Sequence, residues 1–149
     1  MPLDDLDSAL MLYDGVRYSE REVLSSITPH DSVLRHLQNS HVVFLEKGNA
    51  RAGLVHILHR HYRDFQRKGF DSDGIVALLE HTIANLRPLN ISVEARGLGL
   101  EYAFDDRLYP RLLHDTLKIA IGFNGFIVTA TPCGLSSIIG SLRRIANGG

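Results

Sequence analysis

The chain has 149 residues, 44% of them apolar, and carries 16 basic against 17 acidic side chains for a formal net charge of −1. That is the length of one domain with enough apolar material for one core, and no apolar run approaches the roughly 18 residues needed to span a bilayer. The single cysteine, Cys133, excludes an intramolecular disulfide framework and a cysteine-based zinc site and reads as a small residue near a strand end.

The start, Met-Pro-Leu-Asp-Asp-Leu-Asp, is acidic and unlike a secretory signal. Leu3, Leu6, Ala9, Leu10 and Leu12 make a short amphipathic pattern over Pro2–Asp14, either a helix or a tail. Ser19 followed by Glu22 has the spacing of a capping box, which predicts a helix over Ser19–Ser26. Pro29-His30-Asp31-Ser32 starts another, running to about Gln38. The β-branched and aromatic run His41–Leu45 predicts a strand.

Lys47–Phe65 predicts the central helix, with Asn49 as N-cap and Gly69 at the left-handed end position. At 100° per residue, Leu54, Ile57, Leu58, Tyr62 and Phe65 share one side, while His56, Arg60 and Arg63 share the other, with His59 on its shoulder. His61 lies on the Leu54/Phe65 side, so it is either a hydrogen-bonded core residue or a positioned catalytic group. Asp71 and Asp73 then offer caps for a helix through Ile75, Leu78, Leu79, Ile83 and Leu86, ended by Pro88.

Beyond Pro88 the period changes to two. Ile91–Ala95 and Leu100–Phe104 alternate and predict a hairpin linked by Gly97-Leu98-Gly99. Asp105–Asp115 reads as a loop with a turn of helix at Tyr109-Pro110. Leu117–Ile121 and Phe126–Thr131 predict a second hairpin around Gly122–Gly125, where Asn124-Gly125 is the turn signal. A weak helix over Ser136–Ile145, interrupted by Gly140, closes the chain. Helices first and an antiparallel sheet late make the class α+β, with the N-terminal helices and the central helix packed on that sheet.

Charge is unevenly spread. From Met1 to Glu22 there are six acids against two arginines; from Lys47 to Lys68 there are six bases against one acid, plus three of the eight histidines. Phosphate attraction follows the local field of such a patch, not the molecular sum. Arg51, His59, Arg63, Arg67 and Lys68, with Lys47 just ahead of the helix, are therefore candidate RNA contacts; otherwise they are a solvated face. Arg60-His61 is the candidate reactive pair, and His56 on Arg60's face is the next candidate. Metal-independent RNA cleavage needs a base for the 2′-hydroxyl, a cation on the phosphorane and an acid for the leaving oxygen. Histidine suits the proton roles, and the planar fork of arginine suits the phosphate. Thr129 and Thr131, two apart on the last strand, share a face.

The stretch Gly48–Phe65, Gly-Asn-x-x-x-Gly-Leu-x-His-Ile-x-x-Arg-His-x-x-Asp-Phe, resembles the central helix of the Barnase/EndoU/Colicin/RelE-like (BECR) RNase toxins of phage proteins and contact-dependent or other polymorphic toxins. Asn124–Pro132 resembles the family's last core strand, and the two blocks together cover less than a fifth of the chain. The resemblance implies a BECR-like fold whose open sheet face holds the RNA. It also implies a basic residue and a histidine on the helix, here Arg60 and His61, working with a late-strand hydroxyl, here Thr129 or Thr131. It makes 1–149 one domain, with 1–16 a tail or linker remnant and 17–149 the RNase-toxin-like part.

The implied activity is endoribonucleolytic cleavage without a cofactor, of tRNA or another structured RNA, in the cytoplasm of a target bacterial cell after delivery as part of a larger toxin. The implied partners are RNA, a cognate immunity protein, acidic to match the helix, and in some members a host accessory factor. No membrane anchor is implied. Two departures stand: arginine replaces the lysine the family often uses, and net charge is low.

Two rival classes remain. One is a non-enzymatic protein- or RNA-binding module built on the basic helix. The other is a zinc site on His56 and His59, which lacks His-Glu-x-x-His and a near third ligand. There is no Gly-x-x-x-x-Gly-Lys phosphate loop, no complete dinucleotide fingerprint and no serine-hydrolase elbow. His30, His36, His41, His81 and His114 show no shared spacing and read as structural.

Overall fold

The computed structural model of the chain describes residues 23–38 and 40–134, so the helices expected at Pro2–Asp14 and Ser136–Ile145, and the capping pair Ser19 and Glu22, lie outside the described residues. The elements are β1 (Val23–Ile27), α1 (Asp31–Leu34), β2 (Val43–Glu46), α2 (Leu54–Arg67), α3 (Ser72–Asn85), β3 (Asn90–Val93), β4 (Gly97–Ala103), a 3-10 turn (Pro110–Leu112), β5 (Thr116–Gly122) and β6 (Ile127–Cys133). The class is α+β. Four antiparallel strands run in the order β3-β4-β5-β6, and β1 and β2 form a separate antiparallel pair.

Residues 23–27 correct the first expectation. They form a strand, not a helix, because Ile27 sits opposite Val43 and Ser26 opposite Phe44 in the β1–β2 ladder. Pairing with a segment some twenty residues away outweighs the local helix signal. The expected helix from Pro29 to Gln38 shortens to Asp31–Leu34, capped by His30, whose Nδ1 accepts from the Ser32 amide at 3.0 Å. The Gln38 amide is drawn instead to the Phe123 carbonyl at 3.2 Å.

α2 begins at Leu54 with Gly53 as its cap, four residues later than Asn49 would place it. Residues 48–53 fold back as a loop instead. The Asn49 amide donates to Ala52 O at 2.9 Å, its Oδ1 accepts from the Arg51 amide at 2.8 Å, and the Val55 amide reaches Lys47 O at 2.9 Å. Gly48 and Gly53 make this loop possible, with φ of 70° and 92°, where a Cβ is strained. At the other end the helix closes as expected: Gly69 has φ 91°, and the Gly69 and Phe70 amides donate to Gln66 and Phe65 carbonyls. Asp71 caps α3 through the Gly74 amide at 2.7 Å, and α3 stops at Asn85, before Pro88.

The first hairpin also turns three residues earlier than expected. Its link is Glu94-Ala95-Arg96, and Gly97 and Gly99 belong to β4 itself. A Cβ on Gly97 would stand 2.1 Å from Ile121 O, so the close approach of β5 requires glycine there.

One core joins the layers. Leu54, Ile57, Leu58, Tyr62 and Phe65 of α2 and Ile75, Leu78, Leu79 and Ile83 of α3 are buried with Leu98, Leu100, Tyr102, Leu117, Ile119, Ile121, Ile127 and Ala130 of the sheet. The register of β6 shifts at Val128, since Ala120 faces Thr129 but Ile121 faces Ile127. Val128 is thereby left 38% exposed beside buried Ile127. On the opposite, open face, Ser92, Gly99, Ala120 and Thr129 lie in one row across all four strands. The two outer strands end differently. Gly53 N donates to Val128 O at 3.1 Å and Phe44 bridges Phe126, so β6 is covered by the loop and β2. β3 has no outer partner strand among the described residues, and Leu89 and Val93 at its ends are exposed.

His81 of α3 is structural, as expected: its Nε2 donates to buried Asp105 at 2.8 Å, tying the helix to the loop after β4. That hydrogen bond, then one from the Arg107 amide, holds the Asp105 carboxyl below the usual carboxylate range.

Tyr102 is fully buried, and its hydroxyl has no hydrogen-bond partner among the described residues. Burial pushes its ionisation upward. A buried polar group left unpaired costs about 1–3 kcal/mol. Tyr102→Phe is therefore expected to leave stability unchanged or raise it by about 1 kcal/mol, read as the urea midpoint at constant slope. A clear loss would reveal a partner that the hydroxyl uses.

Candidate active site on the central helix

α2 presents two faces because its apolar residues repeat at three and four. The buried face is the core stripe; Arg51 just before the helix and His59, Arg60, Arg63 and Arg67 on it are exposed. Two of the expected phosphate contacts are withdrawn from this surface. Lys47 is 7% exposed, so its side chain lies inside the protein. Lys68 is ion-paired with Asp115 at 2.6 Å, both partly buried.

His61 stands at the border of the two faces, its side chain 26% exposed. Asp64, one turn on, is 3.9 Å from its Nδ1 and also 4.0 Å from Arg67. So Asp64 serves His61 and Arg67, not Arg60. Burial, then the nearby His56, then Arg60 lower the His61 pKa, while Asp64 opposes them. An imidazole so placed is neutral near pH 7 and has the free lone pair that a general base needs.

His56 lies across from it, with ring centroids 6.1 Å apart and planes at 79°. Its Nδ1 is 2.8 Å from Ala50 O. A carbonyl only accepts, so Nδ1 carries the proton, which leaves Nε2 without that partner. The Gly48–Gly53 loop is thus what orients His56. The arrangement supplies two imidazoles of different environment flanked by the Arg60 guanidinium, the set that proton transfer around a phosphate requires.

Thr129 and Thr131 do share a face, and both line a groove of about 280 Å³ on the open side of the sheet with Lys118, Glu101 and Ser92. That side is opposite the one on which α2 packs. The implied union of Arg60-His61 with a late-strand hydroxyl is therefore not formed: among the described residues no hydrogen bond joins them, Thr129 Oγ1 is buried without a partner, and Thr131 Oγ1 reaches Pro132 O at 3.5 Å. The core placement of Ile127 and Ala130 turns these threonines outward.

His56 and His59 gain no third ligand, and among the described residues no group of three or more His, Cys, Asp or Glu side chains comes together as a metal site. No helix among those residues is long and apolar enough to cross a membrane.

One large groove was not legible in the sequence. A groove of about 770 Å³ lies where the Gly48–Gly53 loop, Glu46, Gln38, Arg96 and the β5–β6 turn meet. Its walls come from four separated segments, so no spacing announces it; only Phe123-Asn124, an aromatic beside a turn amide, hints at a surface feature.

Because the His61 pKa is depressed in the folded chain, stability should titrate there. Between the folded value and the ordinary 6.5, the unfolded chain binds more protons than the folded one. Stability is full above that window and falls as pH drops through it. His61→Gln should remove this slope, measured by urea unfolding from about pH 5 to pH 8. An unchanged slope would place the titration elsewhere.

No protein-family model matches the chain, and no curated protein is similar to it at a significant level.

Proposed function

We propose that the protein is an antibacterial RNase toxin domain of the BECR type, an endoribonuclease that cuts RNA, tRNA foremost, without metal and is neutralised by a cognate immunity protein. The observation that carries this reading is the His56/His61 pair, 6.1 Å apart beside Arg60. The resemblance of Gly48–Phe65 to the toxins' central helix supports it.

In this mechanism His61 takes the proton of a 2′-hydroxyl, and the freed oxygen attacks the adjacent phosphorus. Arg60 holds the charge that builds on the phosphorane oxygens. The bond from phosphorus to the 5′-oxygen breaks, His56 in its doubly protonated form gives that oxygen the Nε2 proton while Nδ1 keeps its own on Ala50 O, and a 2′,3′-cyclic phosphate and a 5′-hydroxyl remain. Arg51, His59, Arg63 and Arg67 bind flanking phosphates. Thr129 and Thr131 take no part in the proton transfer and belong to the open-face groove.

The test is incubation of the purified protein with total tRNA and mRNA in excess chelator, with fragment ends analysed for cyclic phosphate. Intact RNA, even with bacterial extract supplied as a source of an accessory factor, defeats the reading. The distance of Thr129 and Thr131 from the helix pair favours one alternative, a non-enzymatic module binding RNA or protein through the exposed arginines. That alternative predicts unaltered binding and cellular effect in His61→Ala.

A further inference from the structure

The loop between β4 and β5 brings one more cation to the end of α2. Arg111, on the 3-10 turn Pro110–Leu112, lays its guanidinium across the helix end, where Nη2 donates to Lys68 O at 3.3 Å. A groove of about 310 Å³ opens there, lined by Gln66, Arg67, Lys68, Gly69, Arg111 and Leu112. Resting on the RNA-cleaving reading, we infer that this groove is a phosphodiester-binding subsite for the RNA strand beyond the cut, with Arg111 and Arg67 as its two cations.

The way the groove is built argues for it first. Gly69 has φ 91°, and a Cβ there would stand 2.5 Å from Arg111 Nη2, so a residue without a side chain admits the guanidinium. The loop that carries Arg111 is pinned to the helix. Lys68 pairs with Asp115 at 2.6 Å, and Tyr109 packs against Phe70 with ring centroids 5.3 Å apart. Nη2 is taken by the Lys68 carbonyl, whereas the other N–H groups of Arg111 meet no acceptor among the described residues. A planar fork held at one corner keeps its remaining donors ready for phosphate oxygens, with little further loss of side-chain freedom.

Charge argues the same way. No acid lines the groove. Asp115 neutralises Lys68, which therefore serves as an anchor, and the helix terminus contributes about half a negative charge. Arg67 is 72% exposed with Asp64 at 4.0 Å, too loose a pair to cancel it. Arg67 and Arg111 together leave the groove positive, which suits an anionic strand.

Position ties the groove to the reaction. Arg67 follows Arg60 by two turns of helix, so the two lie on one face about 10 Å apart. Arg63 stands between them on the same exposed side. A stacked strand advances about 3.4 Å per nucleotide, so a phosphate on Arg60 and one in the groove are about three nucleotides apart. The strand that reacts at His61 is thus held a second time, and an RNA too short to reach Arg111 lacks that hold.

The experiment titrates three ligands into ¹⁵N-labelled protein: a 2′-O-methyl hexanucleotide of mixed sequence, the corresponding dinucleotide, and inorganic phosphate. The methylated probes have no 2′-hydroxyl to attack and stay whole. The hexanucleotide is expected to shift the amides of Gly69 and Leu112 along with that of His61, and the dinucleotide that of His61 alone. Arg111→Gln should weaken the hexanucleotide about threefold to tenfold and spare the dinucleotide. Measured from about 50 to 200 mM salt, it should also lower the slope of log affinity against log salt by about 0.7, the share of one single-strand phosphate. Arg111→Lys should keep the slope. An unchanged slope in Arg111→Gln, equal weakening of both oligonucleotides, or inorganic phosphate shifting Gly69 at lower concentration than the hexanucleotide would overturn the inference. Any of these in a protein that cleaves RNA removes the subsite and leaves the nuclease reading standing. Arg111-dependent hexanucleotide binding in a protein that cuts no RNA would do the reverse.

Discussion

His61→Ala should reduce RNA cleavage by about a hundredfold to ten-thousandfold, the range that a positioned general base contributes. The fold should survive. The side chain is 26% exposed and borders the core stripe without entering it. Its removal opens no closed cavity, and the stability change should stay within about 1 kcal/mol. The readout is single-turnover cleavage of labelled RNA beside thermal melts of the same samples. His56→Ala should also be slow, because acid and base act on different oxygens. A wild-type rate in folded His61→Ala would remove His61 from the chemistry and return it to packing.

Gly48→Ala should cost about 2–4 kcal/mol of stability, from a strained positive φ together with a steric clash. A Cβ at Gly48 would sit 2.0 Å from Ala52 O, a contact between two backbone segments that neither can relieve by a rotamer change. The loop would have to open, and with it would move Ala50, whose carbonyl holds His56 at 2.8 Å. Cleavage should therefore fall further than the stability loss alone accounts for, measured at a temperature where the variant is still folded. A Gly48→Ala protein within about 0.5 kcal/mol of wild type would mean that the loop tolerates another path.

The sequence made α2 and α3 legible because their apolar residues repeat with the helical period, and all five residues assigned to the buried side of α2 are buried. Asp71 and Gly69 behave as local chemistry dictates, since a cap is decided within four residues. What failed was decided at longer range. Val23–Ile27 is a strand only because β2 offers it a ladder. Asn49 is a plausible cap, yet the two glycines around it permit a loop that a cap rule does not foresee. Gly97 and Gly99 look like a turn, but one of them answers the close approach of β5. Thr129 and Thr131 were rightly placed on one face; that α2 lies behind the other face depends on the shift at Val128 and on the whole core. The groove around Glu46 and Arg96 was invisible for the same reason, being an assembly of four distant segments.

The unequal ends of the four-stranded sheet bear on how copies of this chain meet. A sheet grows into a filament only if each molecule offers two free margins, one to give and one to receive. Here the start of the β6 margin is already taken up by Val128 and Phe126 contacts with its own chain. That leaves β3, flanked by exposed Leu89 and Val93, as the open margin of the four-stranded sheet among the described residues. Two copies joining there, strand beside strand, use up both open margins. Association through β3 alone would therefore end at pairs.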